Sequence, residues 1–167
     1  FLHFELSENF GSSKKELEIL DKIFSAVLHL LHLQNQKKEN MLSLCDLSIS
    51  YQKLGEVYEG RDGHDNLEKA GKLYGESLEI FEKLLENQAA WPDLHDLSVR
   101  YQRLAGIYVK QGGRENLEKA GELYKKSLEI AEKLSDDPGT RECQTNLATV
   151  CENLGRLYER LGGRENL

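Results

Sequence analysis

The chain has 167 residues, 39% of them hydrophobic and 31% charged, with a formal net charge of -7. It has apolar content for one core, but no run of about eighteen apolar residues that would span a membrane, and no basic-then-apolar leader. The acidic balance disfavours nucleic acid as a partner, and three cysteines (Cys45, Cys143 and Cys151) without a CxxC pair argue against a disulfide framework or a zinc site and for reduced thiols in a cytoplasmic protein.

Residues 1–39 read as a diverged partial repeat. In KKELEILDKIFSAVLHLLHL, Leu17, Phe24 and Leu28 stand 50 residues before Leu67, Tyr74 and Leu78. FLHFELSENF then reads as the tail of the preceding helix. His29 and His32 share a helix face, but no third ligand lies near them in sequence, so no metal site is expected. Residues 40–89 form the first whole unit. DLSISYQKLGEVY gives its first helix, helix A, and DGHDNLEKAGKLYGESLEI its second, helix B. Residues 90–139 repeat the plan as DLSVRYQRLAGIY and GGRENLEKAGELYKKSLEI, at an offset of 50 residues without a gap. Residues 140–167 begin it again with NLATVCENLGRLY and stop after GGRENL.

Periodicity assigns both halves to helices. In the second helix B, Leu117, Ala120, Tyr124, Ser127, Leu128, Ala131 and Leu134 recur at three- and four-residue steps, leaving glutamates and lysines for the other face. Glu122 with Lys126 and Glu129 with Lys133 are spaced as i,i+4 pairs. Gly112-Gly113 supplies positive φ at the turn, and Asn116 is the expected cap of the next helix. NQAAWP and LSDDPGT are the expected connections between units, and Pro92 and Pro138 fall in them.

One unit places Tyr51, Leu54, Gly55, Tyr58, Ala70, Tyr74, Ser77 and Leu78 in a fixed pattern. The next has Tyr101, Leu104, Ala105, Tyr108, Ala120, Tyr124, Ser127 and Leu128, and the last has Cys151, Leu154, Gly155 and Tyr158. This pattern resembles the tetratricopeptide repeat, a helix-turn-helix unit of about 34 residues, in a long variant similar to arrays of bacterial multidomain proteins. The resemblance implies an all-α, right-handed solenoid of antiparallel helix pairs. The period is about sixteen residues longer than the family's. Three of the extra residues, equivalent to Gly113, Arg114 and Glu115, are assigned to the turn, and the rest lengthen the helices.

No catalytic constellation appears, because the glutamates alternate with lysines on helix faces rather than converging in an apolar pocket. A non-enzymatic module without cofactor or metal is expected. Gly55, Ala105 and Gly155 are read as sites of close helix approach, and the repeated tyrosines as packing groups with their hydroxyls at the rim. The family's concave wall, lined by helix A, implies a protein or peptide partner. Its candidate positions here are Ile49, Gln52, Lys53, Glu56 and Glu59, then Val99, Gln102, Arg103, Gly106 and Lys110, then Thr149, Glu152, Asn153, Arg156 and Arg160. Lys53, Arg103 and Asn153 form an expected ladder for carboxylates or carbonyls. Gln52 and Glu56 replace the Lys and Asn of the family's chaperone-tail clamp, so that docking mode is disfavoured. A sensor arm of a bacterial ATPase or protease, and a spacer that self-associates through its array ends, are the alternatives. The chain is expected to be a piece of a longer array.

Overall fold

The computed structural model describes residues 18–19, 21–23, 25–27, 29–30, 33, 41–86, 93–135 and 141–162, and every regular element among them is a helix. The described residues between 18 and 33 form a leading helical segment. It is followed by α1 (Met41–Glu59), α2 (His64–Glu86), α3 (Leu94–Gln111), α4 (Arg114–Ser135) and α5 (Arg141–Gly162). No helix among the described residues is long and apolar enough to cross a membrane. Leu17, Phe24, Leu28, His32 and Leu167 lie outside the described residues, as do the connections at 87–92 and 136–140.

The helices form because their apolar residues recur with helical period. In α2 the buried positions are Ala70, Gly71, Tyr74, Ser77, Leu78, Phe81 and Leu84, one stripe at three- and four-residue steps. The opposite face carries solvent-exposed i,i+4 ion pairs such as Glu68 with Lys72 and Glu79 with Lys83, which support the helix only weakly. In α4, Glu115 pairs with Lys119 in the same way. Lys126, expected to pair with Glu122, instead holds its ammonium 5.4 Å from the centre of the Tyr101 ring.

Successive helices are antiparallel. Along α1 and α2, Ser48 meets Ser77, Gly55 meets Tyr74, and Tyr58 meets Lys69. Along α3 and α4, Ser98 meets Ser127, Tyr101 meets Lys126, and Tyr108 meets Lys119. In each case the partner's number falls as the residue's rises. Between α2 and α3, Arg100 meets Ser77 and Gln111 meets the Leu67 carbonyl, again in opposite order. The result is an all-α solenoid in which each helix packs on the one before it. Its core comprises two clusters, one with Leu54, Tyr74, Phe81 and Ile107 and the other with Ala105, Leu117, Tyr124, Val150 and Leu157, joined by the partly buried Tyr108 and Leu123, which pack against both.

Two devices fix the hairpins. The first is a reciprocal serine pair: the Ser48 hydroxyl donates to the Ser77 carbonyl at 3.0 Å, and the Ser77 hydroxyl donates to the Ser48 carbonyl at 2.8 Å. Ser98 and Ser127 repeat this at 3.3 and 3.1 Å, and both pairs are 29 residues apart in sequence. The second is close approach at Gly55, where an added Cβ would lie 2.8 Å from Cε1 of Tyr74, so the ring occupies the space that a side chain would need. Ala105 fits a methyl at the equivalent point and is fully buried. At Gly155 no helix among the described residues packs on that face, so the close approach expected there is not tested by them.

The turn is shorter than the sequence suggests. Arg114 and Glu115 belong to the first turn of α4 rather than to the loop. Asn116 is not the cap: it sits inside the helix, and its side-chain amide donates back to the Gly112 carbonyl at 2.9 Å. Asn66 does the same to Asp62 at 2.8 Å. Gly112 (φ 70°, ψ -169°) and Gly113 (φ 80°) make the reversal by themselves. The Gly112 conformation is essentially confined to glycine, so Gly112→Ala is expected to cost about 1–3 kcal/mol through backbone strain alone. No neighbouring atom would obstruct the new methyl. Urea denaturation measures this, and an unchanged midpoint would show that the turn relaxes freely.

One polar group lies deep in the seam between α2 and α3. Arg100 is only 8% exposed, and its guanidinium stacks 4.2 Å from the centre of the Phe81 ring. One of its NH groups donates to the Ser77 hydroxyl at 2.5 Å, while its Nε is buried without an acceptor. Burial pushes its pKa down to about 10, so the charged form is held at a disadvantage.

Candidate partner-binding wall

Helices α1, α3 and α5 lie side by side and parallel, because bonds between them advance in the same direction along both helices of each pair. Arg103 donates to Glu56 at 2.7 Å and Lys110 pairs with Glu59. Gln102 donates to Asn146 at 2.7 Å, and Arg160 to the Val109 carbonyl at 3.4 Å. These three helices make one continuous wall, and the residues singled out from sequence stand on it.

The wall is already charge-paired within the chain. Lys53 donates to one oxygen of Glu56 at 3.0 Å, while Arg103 and Gln52 donate to the other, Gln52 at 3.3 Å. The first two rungs of the expected basic ladder therefore converge on a single carboxylate of the chain itself. Lys110 is committed to Glu59, and Arg156 to Glu152 at 2.6 Å. Asn153 is half-buried between them on α5. The two seams also differ. Glu56 and Glu59 cross from α1 to cations of α3, but at the next seam their register positions are Gly106 and Val109, and Arg160 finds a backbone carbonyl instead.

Glu59 reaches both the wall and the core. It accepts from Lys110 on the wall side and from the Tyr74 hydroxyl, at 2.7 Å, on the core side. Burial by itself would raise its pKa, but the hydrogen bonds from Lys110 and Tyr74, with the charges of Lys110 and Arg103, outweigh that and hold it below the usual carboxylate range. Two other core tyrosines also find carboxylates. Tyr58 donates to Asp21 at 2.5 Å and Tyr101 donates to Glu82. Burial, then the hydrogen bond from its hydroxyl to Asp21, pushes the Tyr58 pKa up to about 12. The rings of Tyr58 and Tyr101 are buried, with their hydroxyls satisfied by acids, whereas Tyr158 is exposed.

The sequence reading missed the first members of the serine pairs, Ser48 and Ser98, although DLS recurs at the repeat period in both helices. It also missed Arg100, whose signal was a cation placed beside the apolar stripe of Leu97, Tyr101 and Leu104. At the start of α3, Asp93, His95 and Asp96 cluster, and there the Asp93 carboxylate accepts from the Asp96 amide at 2.7 Å as the helix cap. The glutamates that line a shallow depression between α2 and the end of α3 include Glu68 and Glu79, both paired with lysines.

No protein-family model matches the chain, and no curated protein matches it in sequence. Among solved structures, it is similar to the de novo designed helical repeat protein DHR64, with a TM-score of 0.46 and 17% identity, over 91% of this chain and 75% of that one. It is similar also to the DHF58 filament, with a TM-score of 0.44 and 18% identity, over 90% and 71% of the two chains.

Proposed function

We propose that the chain is a non-catalytic protein-interaction module of tetratricopeptide-like repeats, and that a partner peptide or helix lies along the wall of α1, α3 and α5. The observation that carries this reading is the parallel alignment of those three helices, tied by Arg103 to Glu56 and Gln102 to Asn146. It gives an extended surface rather than a cleft, the form in which helical repeats hold elongated ligands. The wall cations keep binding capacity despite their internal pairs, because an ammonium has three donors and a guanidinium five. Lys53, Arg103, Lys110 and Arg156 are partly solvent-exposed. They are suited to receiving the carbonyls and carboxylates of a peptide while still holding Glu56, Glu59 and Glu152.

The test takes peptides selected by display against the chain and measures their affinity by calorimetry. Charge reversal by Lys53→Glu with Arg103→Glu is expected to weaken binding about tenfold or more. Glu56→Gln releases both cations and is expected to preserve or strengthen it. Unchanged affinity in the double variant, with its helical circular dichroism intact, would sink the assignment.

A further inference from the structure

The shallow depression between α2 and the end of α3 lies off the wall, and among the described residues it is lined from those two helices alone. Its volume is about 360 Å³. The half-buried ring of Tyr108 forms one side, and α2 contributes Gly71 and Gly75, four residues apart and so on one helix face. The two glycines differ in what they do. At Gly71 an added Cβ would lie 3.3 Å from Ile107 and 3.4 Å from the Gln111 amide, so close packing of α3 accounts for it. At Gly75 a Cβ would meet nothing within 4 Å among the described residues. Glycine inside a helix weakens it more than any residue except proline, and no internal contact offsets that loss here. The fold does not require it either, because the register positions of Gly75 and Glu76 in the next unit are Lys125 and Lys126, both exposed. The pair Gly75-Glu76 thus keeps open and acidic a place that the next unit fills with two cations.

Glu68, Glu76 and Glu79 line the depression, and Lys72 is the one cation among its lining residues. Lys72 meets one oxygen of Glu68 at 2.9 Å, and Lys83 one oxygen of Glu79 at 2.7 Å. Both pairs are exposed and therefore weak, so they yield to a better-placed cation. From Glu68 to Glu79 the carboxylates are spread along about 16 Å of helix. They do not converge as metal ligands: among the described residues such a group forms only at Asp93, His95 and Asp96. A floor of bare backbone and aromatic ring with a long acidic rim suits several cations on apolar stems rather than one ion. Lysine meets tyrosine repeatedly within the chain itself, with ammonium groups 5.1 Å from the centre of the Tyr58 ring, 5.4 Å from that of Tyr101 and 6.0 Å from that of Tyr108.

We propose that this depression is a second interaction surface, and that its occupant is a lysine-rich helix of another protein. One lysine stem lies over Gly75 and against Tyr108 with its ammonium at Glu76, while neighbouring lysines reach Glu68 and Glu79. The net charge of -7 favours the approach of such a partner, and added salt weakens the complex by screening it. The surface is separate from the wall and opposite to it in character, because the wall offers Lys53, Arg103 and Lys110 where the depression offers carboxylates.

An alanine-based helical peptide with lysines at i, i+4, i+7 and i+11, titrated into the isotope-labelled chain, tests the proposal by NMR. Amide shifts are expected to centre on Gly75 and Tyr108 while those of Lys53 and Arg103 stay in place, so the outcome is independent of what the wall binds. Gly75→Lys with Glu76→Lys gives α2 the sequence LYKKSLEI that α4 already folds with, and is expected to weaken binding about tenfold or more. Glu129→Lys with Glu159→Gln raises the net charge by the same amount at exposed positions elsewhere, and is expected to change affinity by no more than about twofold. Gly75→Leu fills the depression at unchanged charge and is expected to weaken binding as well. Equal losses in the two charge variants overturn the proposal, since they mean attraction to net charge alone. So do shifts that do not centre on Gly75, a Gly75→Leu variant that binds like the parent, or a peptide that does not bind.

Discussion

Phe81→Ala is expected to cost about 3–5 kcal/mol, the loss typical of a deleted buried aromatic ring, and to split the unfolding of the array into two steps. Phe81 is fully buried at the seam where α2 meets α3, beneath the guanidinium of Arg100. In a solenoid, stability is close to a sum of unit terms and nearest-neighbour seam terms. Emptying one seam therefore uncouples α1–α2 from α3–α5 rather than weakening all the units alike. The register position of Phe81 in the next unit is Ala131, which is also fully buried, so the second seam does not depend on a ring at this position and stays intact. Circular dichroism and the fluorescence of Trp91 followed through a urea titration should give coincident curves for the parent and separated curves for the variant. A single shared transition with a loss below about 1 kcal/mol would show that the seam repacks around the void.

Arg100→Met is expected to act in the opposite direction, stabilising the chain by about 1–2 kcal/mol. A buried cation whose Nε finds no acceptor carries a desolvation cost that one bond to Ser77 does not return. The substitution leaves no new orphan, because the Ser77 hydroxyl keeps Ser48 as its partner. The next seam supplies a natural precedent: Val150 stands at the register position of Arg100 and is fully buried. Methionine is flexible enough to fill the guanidinium's path over Phe81. A rise of roughly 2–8 °C in the thermal midpoint follows for a chain of this size. A fall instead would mean that the contact of Arg100 with Phe81 and Ser77 outweighs its burial, and a double-mutant cycle with Phe81→Leu would then measure that coupling.

Much of this architecture was legible because it rests on local rules. Three- and four-residue spacing fixed the helices, and two consecutive glycines fixed the turn. The helix start after that turn was misplaced because Asn116 has two ways to satisfy a backbone group. It can cap the helix from outside, or fold back to Gly112 from within, and the second needs Arg114 and Glu115 to be helical already. The wall residues were identified by type and face, but their pairing was not. A ladder at equal register joins residues 50 apart, whereas Arg103 meets Glu56 at a separation of 47 and Lys110 meets Glu59 at 51. Those slips come from how far one helix slides and tilts against the next, which no single helix's sequence encodes. Arg100 was hidden for the same reason: only the stacking of α3 on α2 decides that this position is inside.

The reciprocal serines act as a pin through each hairpin, and the pin divides the chain into two regimes of tolerance. Between Ser48 and Ser77, and again between Ser98 and Ser127, the path through the glycine turn holds the same 29-residue separation. One residue inserted into a helix there rotates everything beyond it by about 100°. The second serine then leaves its partner, and all four bonding groups of the pin are stranded at once. Beyond the pin, toward the far ends of the paired helices, an added residue is carried outward and only changes the height of the layer. Lengthening of such an array is thus channelled into the stretches that join one hairpin to the next, while the loop of each hairpin stays locked in length.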